Sequence, residues 1–379
     1  MVIEVPAFPW LEPDAAGGPP IGLRNVFLHV TKACNLHCDY CYFSASKPLP
    51  GELTTAELGQ VWPELVAVRP DKVVFTGGEP LLRADIFELL AGLRAADPGH
   101  GVRRCLNTNG HLMTAAVASA LVGLADEVRV SIDALAERND AHRGAGNFAA
   151  ALAALDCLYA AGFEPKALVT VTSATLPDLE ELLCLLAGHH ITRVNLNLFR
   201  PIGRGRRHRE WMTEPAQVRA AVRRAWQRCF PGRPVPPDPA GPGMCANCGV
   251  GSFVNIMPNG DVFPCHVLTQ PEFCCGNLRE NGMTEICRRS GLLGHLQKLD
   301  FGELARRDGQ LGPLTRPGAC LGTVYPDTRQ LPVWADILPL TAGVPWTSWL
   351  TDGTAAGPRQ TSSPSRPPPA SSTWPATRA

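Results

Sequence analysis

This sequence predicts an α/β fold, a partial (β/α)6 barrel of TIM type followed by a small C-terminal extension that contains a β-hairpin. Three observations predict it. Strand-like apolar runs at residues 25–30, 72–76, 102–107, 127–132, 167–172 and 193–198 alternate with helix-like stretches, which implies parallel strands joined by right-handed crossovers. The count stops at six, short of the eight that close such a barrel. Past a Pro/Gly-rich stretch at 231–243, two short apolar runs flank Asn259-Gly260, a strong hairpin signal.

The chain divides accordingly into a lead-in rich in Pro, Gly and acidic residues (1–22), the barrel (23–230), the linker (231–243), the extension (244–351) and a Ser/Pro/Thr-rich tail (352–379) that reads as disordered. With 379 residues, 45% of them apolar, it can bury a sizeable core. Basic and acidic residues balance at 35 each, so nothing points to nucleic acid or an acidic membrane surface. No apolar run is long enough to span a bilayer. The start Met1-Val2-Ile3-Glu4-Val5-Pro6 lacks the basic and apolar regions of a signal peptide. A soluble cytoplasmic protein is expected. Fourteen cysteines are then many; disulfides are disfavoured in that compartment, so clusters or reactive thiols are the better default. Cys105, Cys157 and Cys184 sit in strand-like or helical apolar patterns and are expected only to pack.

Taken in order, the first strand runs into Thr31-Lys32-Ala33-Cys34-Asn35-Leu36-His37-Cys38-Asp39-Tyr40-Cys41-Tyr42-Phe43. Three thiolates on one tight loop can hold three irons of a cubane [4Fe–4S] cluster and leave the fourth iron open. A zinc site using His37 is the alternative. Thr54-Thr55-Ala56-Glu57 is a capping box that opens the first helix. The second strand ends in Gly77-Gly78-Glu79-Pro80, the third in Thr108-Asn109-Gly110 and the fourth near Ser131 and Asp133. Active sites of such barrels lie at the C-terminal ends of the strands, and turn chemistry alone would also place Gly, Asn and Asp there. Thr175 and Pro177 mark another helix start. Asn195 and Asn197 lie on the sixth strand. After Phe199-Arg200-Pro201-Ile202-Gly203-Arg204-Gly205 comes a basic run through Arg209, either a grip for a substrate anion or a solvated face, and then a helix over residues 214–229. In the extension, Cys245-Ala246-Asn247-Cys248 precedes the hairpin, which returns Cys265 toward that pair.

The C-x3-C-x2-C spacing, with Asn35 and Tyr40-Cys41-Tyr42 inside it, resembles the radical S-adenosylmethionine (radical SAM) superfamily. The resemblance implies that Cys34, Cys38 and Cys41 bind the cluster and that SAM chelates the open iron. An electron would then cleave SAM to methionine and a 5′-deoxyadenosyl radical, which abstracts hydrogen from a substrate. It further implies that Tyr40, Gly77, Gly78, Glu79, Pro80, Asn109, Ser131, Arg143 and Asn195 (or Asn197) surround SAM, with the Glu79 carboxylate offered to the ammonium and Arg143 gripping the carboxylate or ribose.

Cys248, Gly260 and Cys265, with Gly276-Asn277-Leu278-Arg279, resemble the SPASM or twitch extension of these enzymes. That implies an auxiliary [4Fe–4S] cluster on Cys245, Cys248 and Cys265, with Cys320 or Cys274/Cys275 as a possible fourth ligand; a zinc half-site is the alternative. The second cysteine run of a full SPASM domain is missing, so one auxiliary cluster is expected. Anaerobic sulfatase maturases are similar across both parts but carry a basic Asp after the hairpin cysteine. Here His266 stands there and can accept a proton near neutral pH, which makes it the catalytic candidate; a structural role is the alternative. The expected activity is radical SAM chemistry on a peptide or protein side chain, as in ribosomal peptide maturation. The same chemistry on a sugar, nucleotide or cofactor precursor, and a non-enzymatic zinc or iron–sulfur scaffold, are the alternatives. An electron donor such as flavodoxin or ferredoxin is implied, as is a separate leader-peptide-binding protein, since no peptide-recognition domain precedes the barrel.

Overall fold

The computed structural model describes residues 2–4, 23–99, 101–191, 193–229, 249–315 and 320–328. After a short strand β1 (Val2–Glu4) come β2 (Asn25–Thr31), β3 (Lys72–Gly77), β4 (Arg103–Thr108), β5 (Glu127–Ser131), β6 (Lys166–Val171) and β7 (Arg193–Leu198). Between and after them run α1 (Thr55–Ala67), α2 (Ile86–Ala96), α3 (Ala115–Leu121), α4 (Ala136–Arg143), α5 (Asn147–Ala160), α6 (Leu179–Gly188) and α7 (Pro215–Cys229). The extension contributes β8 (Phe253–Ile256), β9 (Asp261–Phe263), β10 (Gly276–Asn277) and helices α8 (Met283–Arg289), α9 (Gly291–Gln297), α10 (Phe301–Arg307) and α11 (Leu321–Thr328).

The six strands β2 to β7 stand where the alternation places them. All ten strands join one sheet in the order β1-β7-β6-β5-β4-β3-β2-β8-β9-β10. Pairing is parallel from β1 through β8 and antiparallel within the hairpin. Two of these pairings were not legible beforehand. Residues 2–4, read as lead-in, extend the sheet beside β7 with Val2 opposite Arg193. The hairpin strand β8 pairs directly with β2, Phe27 opposite Asn255. An unclosed barrel has two edges with unpaired N–H and C=O groups, and each edge takes one of these strands.

Val73, Val74 and Phe75 are all fully buried, as expected of a strand covered on both faces. Trp62 of α1 lies against Phe75, ring centroids 6.1 Å apart. On β2 the alternation sends Val26 and Leu28 toward that helical layer and Phe27 and His29 to the barrel interior. Helix α1 starts at its capping box: Thr54 Oγ1 accepts from Glu57 N at 3.2 Å, and the Glu57 carboxylate accepts from Thr54 N at 2.7 Å. The helix signalled by Thr175 and Pro177 begins with a 3-10 turn, Leu176–Asp178, before α6.

One expectation for the cysteines is corrected. Cys184 of α6 does not simply pack; it is joined in a disulfide to Cys229 at the end of α7, Cα atoms 5.7 Å apart. Adjacent packing of the two helices brings the cysteines into reach. Cys105 on β4 is fully buried, as its pattern implies. The linker at 231–243, the tail, and Cys245 and Cys248 lie outside the described residues. Among the described residues no helix is long and apolar enough to cross a membrane.

Candidate functional site

The loop after β2 carries Cys34, Cys38 and Cys41, all half-buried with free thiols. Local turns shape it: Cys34 N donates to Ser46 O at 3.0 Å, Ser44 N to Cys41 O at 3.2 Å, and Leu36 N to Cys34 Sγ at 3.5 Å. Burial pushes the Cys34 thiol up, with Glu79 and Cys41 adding to it as negative neighbours. Burial likewise pushes Cys38 up to about 11; Arg143 opposes the rise, while Cys41, Asp133 and Cys34 add to it. The three sulfurs thus share one small volume, as cluster ligands must. Among the described residues no three His, Cys, Asp or Glu side chains converge on a point as ligands of a single ion do.

Every neighbouring strand end reaches this loop. Gly78 N donates to Thr31 O and Glu79 N to Ala33 O, both at 2.8 Å. At Gly77, with φ +129°, and at Gly78, an added β-carbon would collide with Thr31 O and Ala33 O. Only glycines allow that approach. Pro80, itself buried, opens a 3-10 turn behind them. Asn109 Nδ2 donates to Asn35 Oδ1 at 2.7 Å and lies 3.9 Å from Cys34 Sγ.

Three residues expected around SAM have protein partners. The Glu79 carboxylate is fully buried and accepts from Thr108 Oγ1 and Asn109 N at 2.8 Å and from Leu81 N at 3.1 Å. It ties the β3 loop to the β4 loop, and burial holds its pKa up at about 7. Arg143 is buried in a salt bridge to Asp133, so its guanidinium serves the fold. Tyr40, also buried, donates its hydroxyl to the same Asp133 oxygen, and the Arg143 guanidinium lies 5.7 Å from the Tyr40 ring centre. The other Asp133 oxygen accepts from Thr170 N at 2.6 Å. Ser131 and Asn195 share one row of the sheet across Leu168, and Asn195 Oδ1 is buried without a hydrogen-bond partner among the described residues. Such an atom calls for a ligand or water, which fits a bound cofactor in the barrel.

Two residues that organise the loop were under-read. Asp133 looks like turn chemistry in the sequence. Arg204, just before the basic run, carries no role in the sequence reading, but its Nε donates to Cys38 O at 2.8 Å, its Nη1 to Ala45 O at 2.6 Å and its backbone N to Cys41 O at 3.0 Å. The glycines on either side, Gly203 and Gly205, are the signal that could have singled it out.

In the extension, Cys265 is buried and its Sγ accepts from Leu268 N at 3.1 Å and Val267 N at 3.4 Å. Cys274 and Cys275 are buried thiols directed at Gly276 O and Phe273 O. Cys320 is half-buried at the start of α11. His266 reaches the barrel: its ring centre lies 4.2 Å from Phe27 and 5.3 Å from Tyr42. Among the described residues its Nδ1 has no hydrogen-bond partner, and burial lowers its pKa to about 4.

A barrel with three thiols on the loop of its first core strand and glycines closing on them defines a radical SAM site. The radical SAM superfamily model matches residues 28–181, and the SPASM model, an iron-sulfur cluster-binding domain, matches residues 242–305. The chain belongs to the radical SAM superfamily and carries a SPASM extension; it is an enzyme whose cofactors are a [4Fe–4S] cluster and S-adenosylmethionine. It is 33% identical over 285 residues to the mycofactocin maturase MftC of Mycobacterium ulcerans, covering 71% of this chain and 75% of that one. It is 32% identical over 302 residues to an AdoMet-dependent heme synthase of Oleidesulfovibrio alaskensis, covering 70% and 75%. The fold resembles that of Streptococcus suis SuiB bound to S-adenosylmethionine, with TM-score 0.58, 14% identity, and coverage of 74% of this chain and 69% of that one.

Proposed function

We propose that this enzyme acts on a peptide or protein side chain. The observation that carries this reading is the lining beside the cysteine loop. Phe27, Tyr42, Phe253 and His266 gather there, His266 centred 5.9 Å from Phe253. His29 stands behind them, held neutral by burial with a pKa of about 3. This lining is apolar and uncharged, which suits an amide chain; a tetrapyrrole brings carboxylates that ask for cations. The similarity to a maturase supports the reading, and the similarity to heme synthases supports the small-molecule alternative.

In this reading Cys34, Cys38 and Cys41 hold the cluster. Gly77, Gly78, Pro80, Asn109, Ser131 and Asn195 line SAM, while Glu79, Tyr40 and Arg143 fix the loops around it. Once bound, the two cofactors supply a 5′-deoxyadenosyl radical that removes hydrogen from the substrate. His266 is the polar group that meets the substrate. Cys265, with Cys245 and Cys248, holds an auxiliary cluster. We assign the barrel to residues 23–230 and the extension to 244–351, place the enzyme in the cytoplasm, and assign it a flavodoxin or ferredoxin as electron donor and a separate leader-peptide-binding protein. The test is anaerobic reconstitution, then reaction with SAM, dithionite and either precursor peptides or a carboxylate-bearing tetrapyrrole. A peptide mass change dependent on SAM is expected. Turnover of the tetrapyrrole alone overturns the reading.

A further inference from the structure

We infer that Arg204 is a positioning residue that also makes the cluster on Cys34, Cys38 and Cys41 easier to reduce. The inference rests on the assignment of the cluster to those three cysteines. Segment Gly203-Arg204-Gly205, just beyond β7, is shaped to lie on the cysteine loop. Gly203 has φ +56°, and a β-carbon there would collide with Cys41 O and Tyr42 O; one at Gly205 would stand 3.4 Å from Tyr40 O. Between the two glycines Arg204 makes three hydrogen bonds, to the carbonyls of Cys38, Ala45 and Cys41.

The electrostatics follow from the partners. All three acceptors are neutral carbonyls, and among the described residues no carboxylate pairs with Arg204. Its charge is therefore uncompensated at the loop. The Arg143 guanidinium, by contrast, is ion-paired with Asp133, although it still opposes the rise of the Cys38 thiol. Reducing a thiolate-ligated cluster adds negative charge, and potentials of such clusters depend on net charge and hydrogen bonding around them. A fixed cation with an otherwise acceptor-rich loop turned onto it favours the reduced form. The fork geometry of the side chain holds two carbonyls at once, which lysine cannot reproduce.

The experiment is a redox titration of the reconstituted, full-length protein followed by EPR of the reduced cluster, with iron content measured on each sample. In Arg204→Gln the ratio of reduced to oxidised cluster at a fixed potential should fall about tenfold, equivalent to a shift of about 59 mV for one electron. Arg204→Lys keeps the charge and should keep the parent midpoint, with an altered EPR line shape from the loosened loop. Arg206→Gln, an exposed member of the basic run that follows, should change neither. Added salt should lower the parent midpoint and leave that of Arg204→Gln in place, because salt screens a half-exposed charge.

A parent midpoint in iron-loaded Arg204→Gln overturns the inference. Should that variant not hold iron, the lysine variant decides: a midpoint shifted as far as tenfold is equally fatal. Failure of the parent protein itself to take up iron on these cysteines would instead overturn the cluster assignment beneath it.

Discussion

The two cysteine sites are held in opposite ways. The loop of Cys34, Cys38 and Cys41 is fixed by groups far off in sequence: Gly78 and Glu79 from the β3 end, Asn109 from the β4 end, His142 O and Arg143 O from α4, and Arg204 from beyond β7. Among the described residues, Cys265 Sγ accepts from its own neighbours, the N–H groups of Val267 and Leu268. The first site therefore exists only when the barrel is assembled, while the second takes its local shape from a turn. Damage to the barrel should reach the first site from many positions.

The largest expected effect separates the two sites outright. Replacing Cys34, Cys38 and Cys41 by Ala should end reductive cleavage of SAM to 5′-deoxyadenosine. Replacing Cys245, Cys248 and Cys265 by Ala should remove about four irons per chain, stop product formation and leave some cleavage. Iron analysis and chromatography of 5′-deoxyadenosine read both. Loss of cleavage in the second variant, with the first cluster intact, would break the contrast.

Next in size is Asp133→Ala. It strands the buried Arg143 guanidinium and frees Tyr40. Breaking a buried pair from one side costs about 3–5 kcal/mol, so urea unfolding should register a loss of that order. A loss under about 1 kcal/mol would mean that the loop does not depend on this anchor.

The smallest effect is a pH dependence at Glu79. Its pKa rises from 4.5 to about 7 because burial outweighs three hydrogen bonds. The folded protein thus holds this proton more tightly than the unfolded chain, so stability falls as pH rises from about 4.5 to about 7 and levels off above. The loss is on the order of 3 kcal/mol at most. Glu79→Gln should flatten that segment of the stability profile, and an unchanged profile would contradict the assignment.

The sequence carried the barrel strands well because each is a short apolar run bounded by turn residues. The cysteine loop was legible because its spacing is itself the ligand geometry. What stayed hidden depended on partners far apart. Glu79 and Arg143 looked free to meet a ligand, but their donors and acceptors, Thr108, Asn109 and Asp133, come from other strand ends. Arg204 was one arginine among several until its carbonyl partners were placed. The Cys184–Cys229 bond required the packing of α6 on α7, which periodicity does not encode.

The pairing of β8 with β2 makes one strand serve as a ruler for two centres. The loop bearing Cys34 leaves the end of β2, and Cys265 follows the hairpin whose first strand is registered against β2 residue by residue. Slipping β8 by one residue would move it about 3.3 Å and turn every side chain to the other face. The separation of the two centres is therefore quantised by hydrogen-bond register rather than set by a flexible tether.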